Sequence, residues 1–209
     1  MEEGSRQPGP ARFAVVDVET SGLSPRRHRI LQVAVVSVDI DGEIVDRWSS
    51  YVRPRWRRVG PRHIHGLTAT ALRSSPRFRV VAPELARRLD GVILVAHNES
   101  FDWAFIRRAL RRARIAHPDQ QRLCTMRLSR SLDPLRQQSH RLADVAERYG
   151  VALEHAHDAR ADAEATARML PHLLTAAGIA AGDLGALSPH LRGTTSQWTS
   201  GHRTAPAQR

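Results

Sequence analysis

The apolar residues of this chain fall into two successive patterns, and their order limits the folds open to it. Between residues 13 and 52 there are three short runs, Phe13–Val18, Ile30–Val38 (ILQVAVVSV) and Ile44–Val52. Each has strand length and is rich in β-branched residues, and the turn-forming pair Asp41-Gly42 separates the second from the third. Three strands joined so closely predict an antiparallel meander. From Pro76 onward helix and strand patterns alternate. The spacing predicts a helix near 83–90, a strand over Val92–Ala96 and a helix over Phe101–Arg112. In that last helix Phe101, Phe105, Ile106 and Ala109 recur on one face, while Arg107, Arg108, Arg111 and Arg112 face water. Arg122–Met126 reads equally as a strand or a helix entry. Leu142, Val145, Ala146 and Tyr149 mark a further helix stopped by Gly150, and a final one runs from Ala159 to Leu174. Strands first and alternation afterwards predict a mixed sheet flanked by helices, an α/β fold.

A length of 209 residues with 41% hydrophobic content suits one packed domain. We expect a flexible arm over residues 1–11, the domain over 12–176, and a Ser-, Thr-, Gly- and Pro-rich tail over 177–209 that is disordered or bound to a partner. The 32 basic residues against 21 acidic ones give a formal charge of +11, and every basic residue is Arg. A GC-rich coding sequence would also favour Arg. Whatever its origin, that charge attracts a polyanion, and the guanidinium fork matches phosphate oxygens. One cysteine, Cys124, excludes an internal disulfide and reads as a small buried apolar residue in a reducing compartment. The first residues lack the pattern of a signal peptide, and no apolar run is long enough to cross a bilayer, so a cytoplasmic location is expected and no membrane partner.

The chemistry lies in acids far apart in sequence. Asp17 and Glu19 close the first apolar run in FAVVDVETSGL, Asp102 follows another in VILVAHNESFDWAF, and Asp162 opens an Ala-rich helix in HAHDARADAEATARM. Two residues apart on an extended strand, Asp17 and Glu19 share a face. Asp102 alone would read as an acid favoured by a helix N-terminus, with Asn98 or Ser100 as cap. His157 and Asp162 are five residues apart, a rotation of about 500° if both were helical. They converge only if His157 lies on the loop before the helix, with Asp158 as its N-cap; His155 is the competing histidine. Carboxylates crowd together only where cations neutralise them. The set is therefore read as a two-metal nuclease site. A structural Ca²⁺ site would leave His157 without a purpose.

DVETSGL, the IHGLT segment at Ile64–Thr68, HNESFD and HDARAD together resemble, in order and spacing, the DEDDh-type 3′→5′ exonucleases of the DnaQ-like superfamily. The resemblance covers about residues 13–174. It implies a ribonuclease H-like fold with a mixed five-stranded sheet and two divalent ions, Mg²⁺ or Mn²⁺, the cations suited to carboxylate oxygens. It implies that Asp17, Glu19 and Asp162 hold one ion, that Asp17 bridges to a second held by Asp102, and that His157 is the general base that takes a proton from the attacking water. Thr20 and the backbone at Ser21-Gly22 would meet the terminal 3′-hydroxyl, Leu23 and Phe101 would wedge or stack against the last bases, and His65 and Asn98 would line the cleft. The implied substrate is the 3′ end of single-stranded DNA in proofreading or repair, as in the polymerase III epsilon-subunit domain. RNA trimming is the nearest alternative, and a non-catalytic nucleic-acid-binding or polymerase-scaffold module the alternative of another class. The tail, with Gln197-Trp198, would be the segment that docks on a polymerase or clamp.

Overall fold

The computed structural model describes residues 9–10, 12–55, 58–116 and 120–193. The expectations for residues 1–8 and 11 and for the tail beyond 193, Trp198 included, lie outside the described residues. Strands β1 (Phe13–Thr20), β2 (Ile30–Val38) and β3 (Ile44–Tyr51) form the expected meander, with β1–β2 and β2–β3 antiparallel. Asp39 staples the second turn, its Oδ1 accepting the N–H groups of Asp41 and Glu43 at 3.0 and 2.9 Å. Strands β4 (Ile93–Ala96) and β5 (Arg122–Cys124) then join in parallel to β1 and to each other.

The helices are α1 (Arg62–His65), α2 (Phe78–Leu89), α3 (Glu99–Ala113), α4 (Thr125–Ser131), α5 (Leu142–Arg148), α6 (Ala159–Ala176) and α7 (Leu184–Leu187). Arg122–Met126 is both a strand and a helix entry, with buried Cys124 at the junction. The helix expected near 83–90 begins a turn earlier, at Phe78, and carries Pro83 inside it. Val81, Ala82, Leu85 and Leu89 are buried on one stripe, so packing carries the helix through a residue that removes one backbone hydrogen bond.

Two expectations need correction. Among the described residues the sheet has six strands, in the order β3-β2-β1-β4-β5-β6, because Leu191–Arg192 (β6) pairs antiparallel with β5. The tail accordingly does not begin as disordered chain at 177. Ile179 and Leu187 are buried in the core beneath α6, and the chain through Gly193 is part of the domain. A two-residue strand has no periodicity to read, and its pairing comes from the tertiary structure.

Alternation along β1 divides the core. Ala14, Val16 and Val18 face a layer made by α2 and α3, with Leu85, Phe105, Ile106 and Leu110. Phe13 and Val15 face the opposite layer, where α6 presents Ala159, Ala163, Ala167 and Leu170. Alanines at that spacing let α6 lie close against the sheet. By the same period of two, Asp17 and Glu19 are on the α6 face.

Candidate active site

The strand β1 runs two residues past the apolar stretch, to Thr20, so both Asp17 and Glu19 lie within it. Across the sheet Glu19 is paired in register with Gln32, the one amide in a mostly apolar run. Gln32 is buried and holds the start of α6: its Nε2 donates to Oδ2 of Asp158 at 3.0 Å, and its Oε1 accepts the Ala159 N–H at 3.3 Å. Asp158 is the N-cap, its Oδ1 accepting the N–H groups of Arg160 and Ala161 at 3.0 and 3.2 Å. The next N–H, of Asp162, bonds to the Asp158 carbonyl at 2.9 Å. The first turn is thus fully satisfied from within the fold. Sequence reasoning passed over Gln32; its signal was a lone amide in a buried strand, where a polar group needs partners.

His157 lies on the loop before α6, as the spacing required, and is exposed. Its backbone takes φ +67°, left-handed for a non-glycine residue, and its N–H donates to Oδ2 of Asp162 at 3.2 Å. One ligand atom each from Glu19, His157 and Asp162 lie within 4.8 Å of one another. Oδ1 of Asp162 is buried with no hydrogen-bond partner. An orphaned carboxylate oxygen beside a second carboxylate and an imidazole is the donor set a divalent cation takes.

Asp17 and Asp102 lie alongside this trio. Asp102, in the first turn of α3, reaches from the other layer, and its Oδ1 accepts the Val18 N–H at 3.1 Å. The acids raise one another's pKa. Burial, then Asp102, Asp162 and Glu19, hold Asp17 well above the ordinary carboxyl range. Burial first and then Asp162 and Asp158 push Glu19 up to about 8. Burial pushes Asp102 up to about 8, against the opposing Val18 hydrogen bond and with a further push from Glu99. Asp162 rises to about 6 by burial, against the His157 N–H. Ionised together at neutral pH, these groups require a positive charge among them.

Glu99 is a second residue that sequence reasoning missed. It is buried, with Arg122 Nε at 3.1 Å and Arg127 Nη2 at 3.8 Å, and it anchors the start of α3 that carries Asp102. Its signal was an acid three residues before Asp102 within the same motif.

The other expected substrate residues divide. The Thr20 hydroxyl donates to the Gly22 carbonyl at 2.9 Å and shapes the loop after β1. That loop is closed by Ser21 N–H to Arg29 O at 2.9 Å and by Arg29 N–H to Ser21 Oγ at 3.0 Å. It holds Leu23 out at 84% exposure, large for a leucine on a braced loop. Asn98, at φ +90°, makes no side-chain cap bond and stays exposed at the head of α3, so neither residue expected to cap that helix does so from the N-cap position. Phe101 is partly buried with its ring 5.0 Å from that of Phe105. His65 is not brought to the cleft as a free imidazole. It is buried, its Nδ1 accepts the Leu67 N–H at 3.0 Å and its Nε2 lies 2.9 Å from the Val59 carbonyl. Because Nδ1 accepts, Nε2 carries the proton and donates, and the ring braces its loop.

Four acids and an imidazole gathered on a mixed sheet of an α/β fold are the groups a metal-dependent phosphodiesterase centre uses. Residues 14–170 match the exonuclease family RNase_T. The chain is 34% identical over 167 residues to the 3′-5′ exonuclease DinG of Bacillus subtilis (strain 168), covering 78% of this chain and 18% of that protein. It is 34% identical over 164 residues to the PolC-type DNA polymerase III of Lacticaseibacillus paracasei, covering 77% and 11%. The chain therefore spans less than a fifth of the length of either relative. Among solved structures, Exonuclease X in complex with 5′ overhanging duplex DNA aligns with a TM-score of 0.65 at 27% identity, covering 81% of this chain and 95% of that one. Escherichia coli Exonuclease I in complex with a dT13 oligonucleotide aligns at 0.70 and 21% identity, covering 79% and 41%, a likeness of fold. The chain belongs to the RNase_T exonuclease family, within the DnaQ-like 3′-5′ exonucleases, and has their ribonuclease H-like fold.

Proposed function

We propose that this chain removes nucleoside 5′-monophosphates one at a time from the 3′ end of single-stranded DNA, with two divalent ions, in proofreading or repair. The observation that carries this reading is the crowding of Asp17, Glu19, Asp102 and Asp162, with an unpartnered buried oxygen on Asp162. Glu19, Asp162 and Asp17 would hold one ion, and Asp17 with Asp102 the other. Mg²⁺ or Mn²⁺ supplies the charge that stabilises the attacking and leaving oxygens of an in-line displacement.

The remaining work falls to side chains of the fold. His157, exposed on its loop beside Asp162, accepts a proton from the attacking water as its oxygen bonds to phosphorus. The bond from phosphorus to the 3′-oxygen of the preceding nucleotide breaks, and solvent protonates that oxygen. Exposed Leu23 wedges against the terminal base, with Phe101 stacking and the loop shaped by Thr20 around the 3′-hydroxyl; the exposure of Leu23 supports this reading. Asn98 lines the same cleft. Two relatives support a DNA substrate: a solved homologue is a complex with overhanging duplex DNA, and a curated one is a DNA polymerase, which supports a polymerase as partner.

The test is to give purified protein 5′-labelled single-stranded DNA and RNA with Mg²⁺ or Mn²⁺. A ladder shortening from the 3′ end, faster on DNA and abolished in Asp17→Ala, is expected. A wide preference for RNA overturns the substrate. Absence of hydrolysis with both ions overturns the catalytic reading.

A further inference from the structure

Outside the acidic cleft, the described residues form an open-mouthed cavity of about 190 Å³ between α2, α3 and the ends of β2 and β3. That is well beyond the roughly 10–15 Å³ that admits one water. Its floor is apolar: Ile30, Val52 and Phe105 are buried at the bottom, while Phe78, Ala109 and Ala113 keep part of their surface open. Its rim is cationic, carrying Arg29, Arg53, Arg55, Arg77, Arg79 and Arg112.

Three of these guanidinium groups are pinned by neutral carbonyls. Arg29 Nη1 donates to the His28 carbonyl at 2.7 Å, Arg53 Nη1 to that of Arg73 at 3.2 Å, and Arg112 Nη2 to that of Arg26 at 2.9 Å. A carbonyl orients a guanidinium and leaves its charge uncompensated. Arg77 and Arg79 are exposed, and neither has a carboxylate partner within 4.0 Å among the described residues. Burial, then Arg29, Arg108 and Arg111, lower Arg112 to about 10, so the cations repel one another. An apolar floor under the five cations Arg29, Arg53, Arg77, Arg79 and Arg112 asks for a flat apolar group joined to more than one anion. A nucleotide in a chain has that chemistry, with its base for the floor and its phosphates for the rim.

The cavity shares one loop with the acidic site. His28 and Arg29 form its wall, and the same braced loop, Ser21 to Arg29, carries exposed Leu23 at its other end. Phe101 and Phe105, a turn apart on α3, also link the two places. We propose that this cavity is a second nucleic-acid site, holding a nucleotide of the same single strand upstream of the 3′ end with its base on Phe78 and Ala109 and its phosphates on the arginines. The proposal rests on the exonuclease reading for the identity of the strand.

Binding without metal separates the two. The probe is a fluorescein-labelled twelve-residue oligothymidylate in EDTA, followed by anisotropy across a salt series, with a trinucleotide for comparison. Each phosphate contact adds about 0.7 to the slope of log K against log salt for a single strand. Arg77→Ala/Arg79→Ala is expected to lower the slope for the long probe by about 1.4 and to remove most of its advantage over the trinucleotide. Arg107→Ala/Arg130→Ala, which removes equal charge elsewhere, should leave both unchanged. Abasic sites upstream of the last three residues should weaken binding to the wild type about tenfold, as the loss of one stacked base does. Equal losses in the two double variants, or no effect of abasic sites, overturn the site. Displacement of the probe by polyglutamate as readily as by unlabelled oligonucleotide overturns it in favour of an acidic peptide surface. Mn²⁺-dependent hydrolysis of the p-nitrophenyl ester of thymidine 5′-monophosphate by the wild type reports separately on the catalytic reading, since that ester has no upstream nucleotide.

Discussion

Val18 and Asp102, 84 residues apart, are joined by a hydrogen bond from the strand N–H to the carboxylate Oδ1. The bond locks the end of β1 to the first turn of α3, so the carboxylate of one layer is held against the strand whose side chains serve the other. Asparagine can accept the same bond through its own Oδ1 while losing the charge. Asp102→Asn should therefore fold like the wild type yet hydrolyse labelled DNA slower by roughly 10²–10³-fold, as expected when one charged group of a preorganised site is removed. Near-normal rates in that variant would show that Asp102 serves the fold alone.

The crowded acids make stability without metal depend on pH in the opposite sense to ordinary acid denaturation. A carboxyl whose folded pKa lies above its unfolded value favours the fold in its protonated form. Its contribution is fully present below the unfolded pKa and is lost as pH rises through the folded one. Asp162 at about 6 and Glu19 and Asp102 at about 8 place that loss between pH 4 and 8. In EDTA the melting temperature should fall across that window. For a chain of this size about 2 kcal/mol corresponds to roughly 4–8 °C. Mn²⁺ should restore the loss at pH 8 and do little at pH 5. A flat profile in EDTA, read by differential scanning fluorimetry, would refute the crowding.

His157→Ala should lower the rate by about 10²–10⁴-fold, the usual contribution of a general base, with little change in KM. A rate within tenfold of the wild type would assign the proton to another group.

Gly60 takes φ +72°, and a Cβ there would sit 2.3 Å from the Ser21 carbonyl oxygen. Backbone cannot yield as a flexible side chain can. Gly60→Ala should thus lower stability by about 2 kcal/mol or more and displace the loop that carries Leu23, raising KM for oligonucleotides. Unchanged melting and unchanged KM together would mean that the contact with Ser21 gives way freely.

Two truncations separate the folded part of the C-terminal region from the rest. Stopping at residue 178 removes buried Ile179 and Leu187 and the strand paired with β5, and should expose the core and promote aggregation. Stopping at residue 193 keeps all of these and should melt within a few degrees of the full chain. The reverse result in a thermal scan would show that residues beyond 193 support the domain.

Much of this was legible in the sequence because local patterns and tertiary needs agreed. The meander follows from three β-branched runs and a tight turn, and the placement of His157 on a loop follows from helical arithmetic. Asp158 has the side chain of an N-cap and acts as one. Where a residue's role depends on what lies across the fold, local pattern fell short. His65 looked like a cleft residue, yet both its nitrogens are bound to backbone that the sequence does not place beside it. Gln32 is an amide within a strand run, and its role as the clamp on α6 depends on Asp158 and Ala159, which the sequence does not place beside it. Helix α2 starts at Phe78 rather than near residue 83, because burial of Val81, Ala82, Leu85 and Leu89 against the rest of the fold carries it through Pro83.

Gln32 ties β2 to the head of α6 across 126 residues of chain, so the two halves of the acidic cluster meet only after α6 has been made. Asp17 and Glu19 leave the ribosome before Asp162 does. A nascent chain that stops short of α6 holds half of the cluster, so the order of synthesis delays the complete set of acids until the domain around it can close.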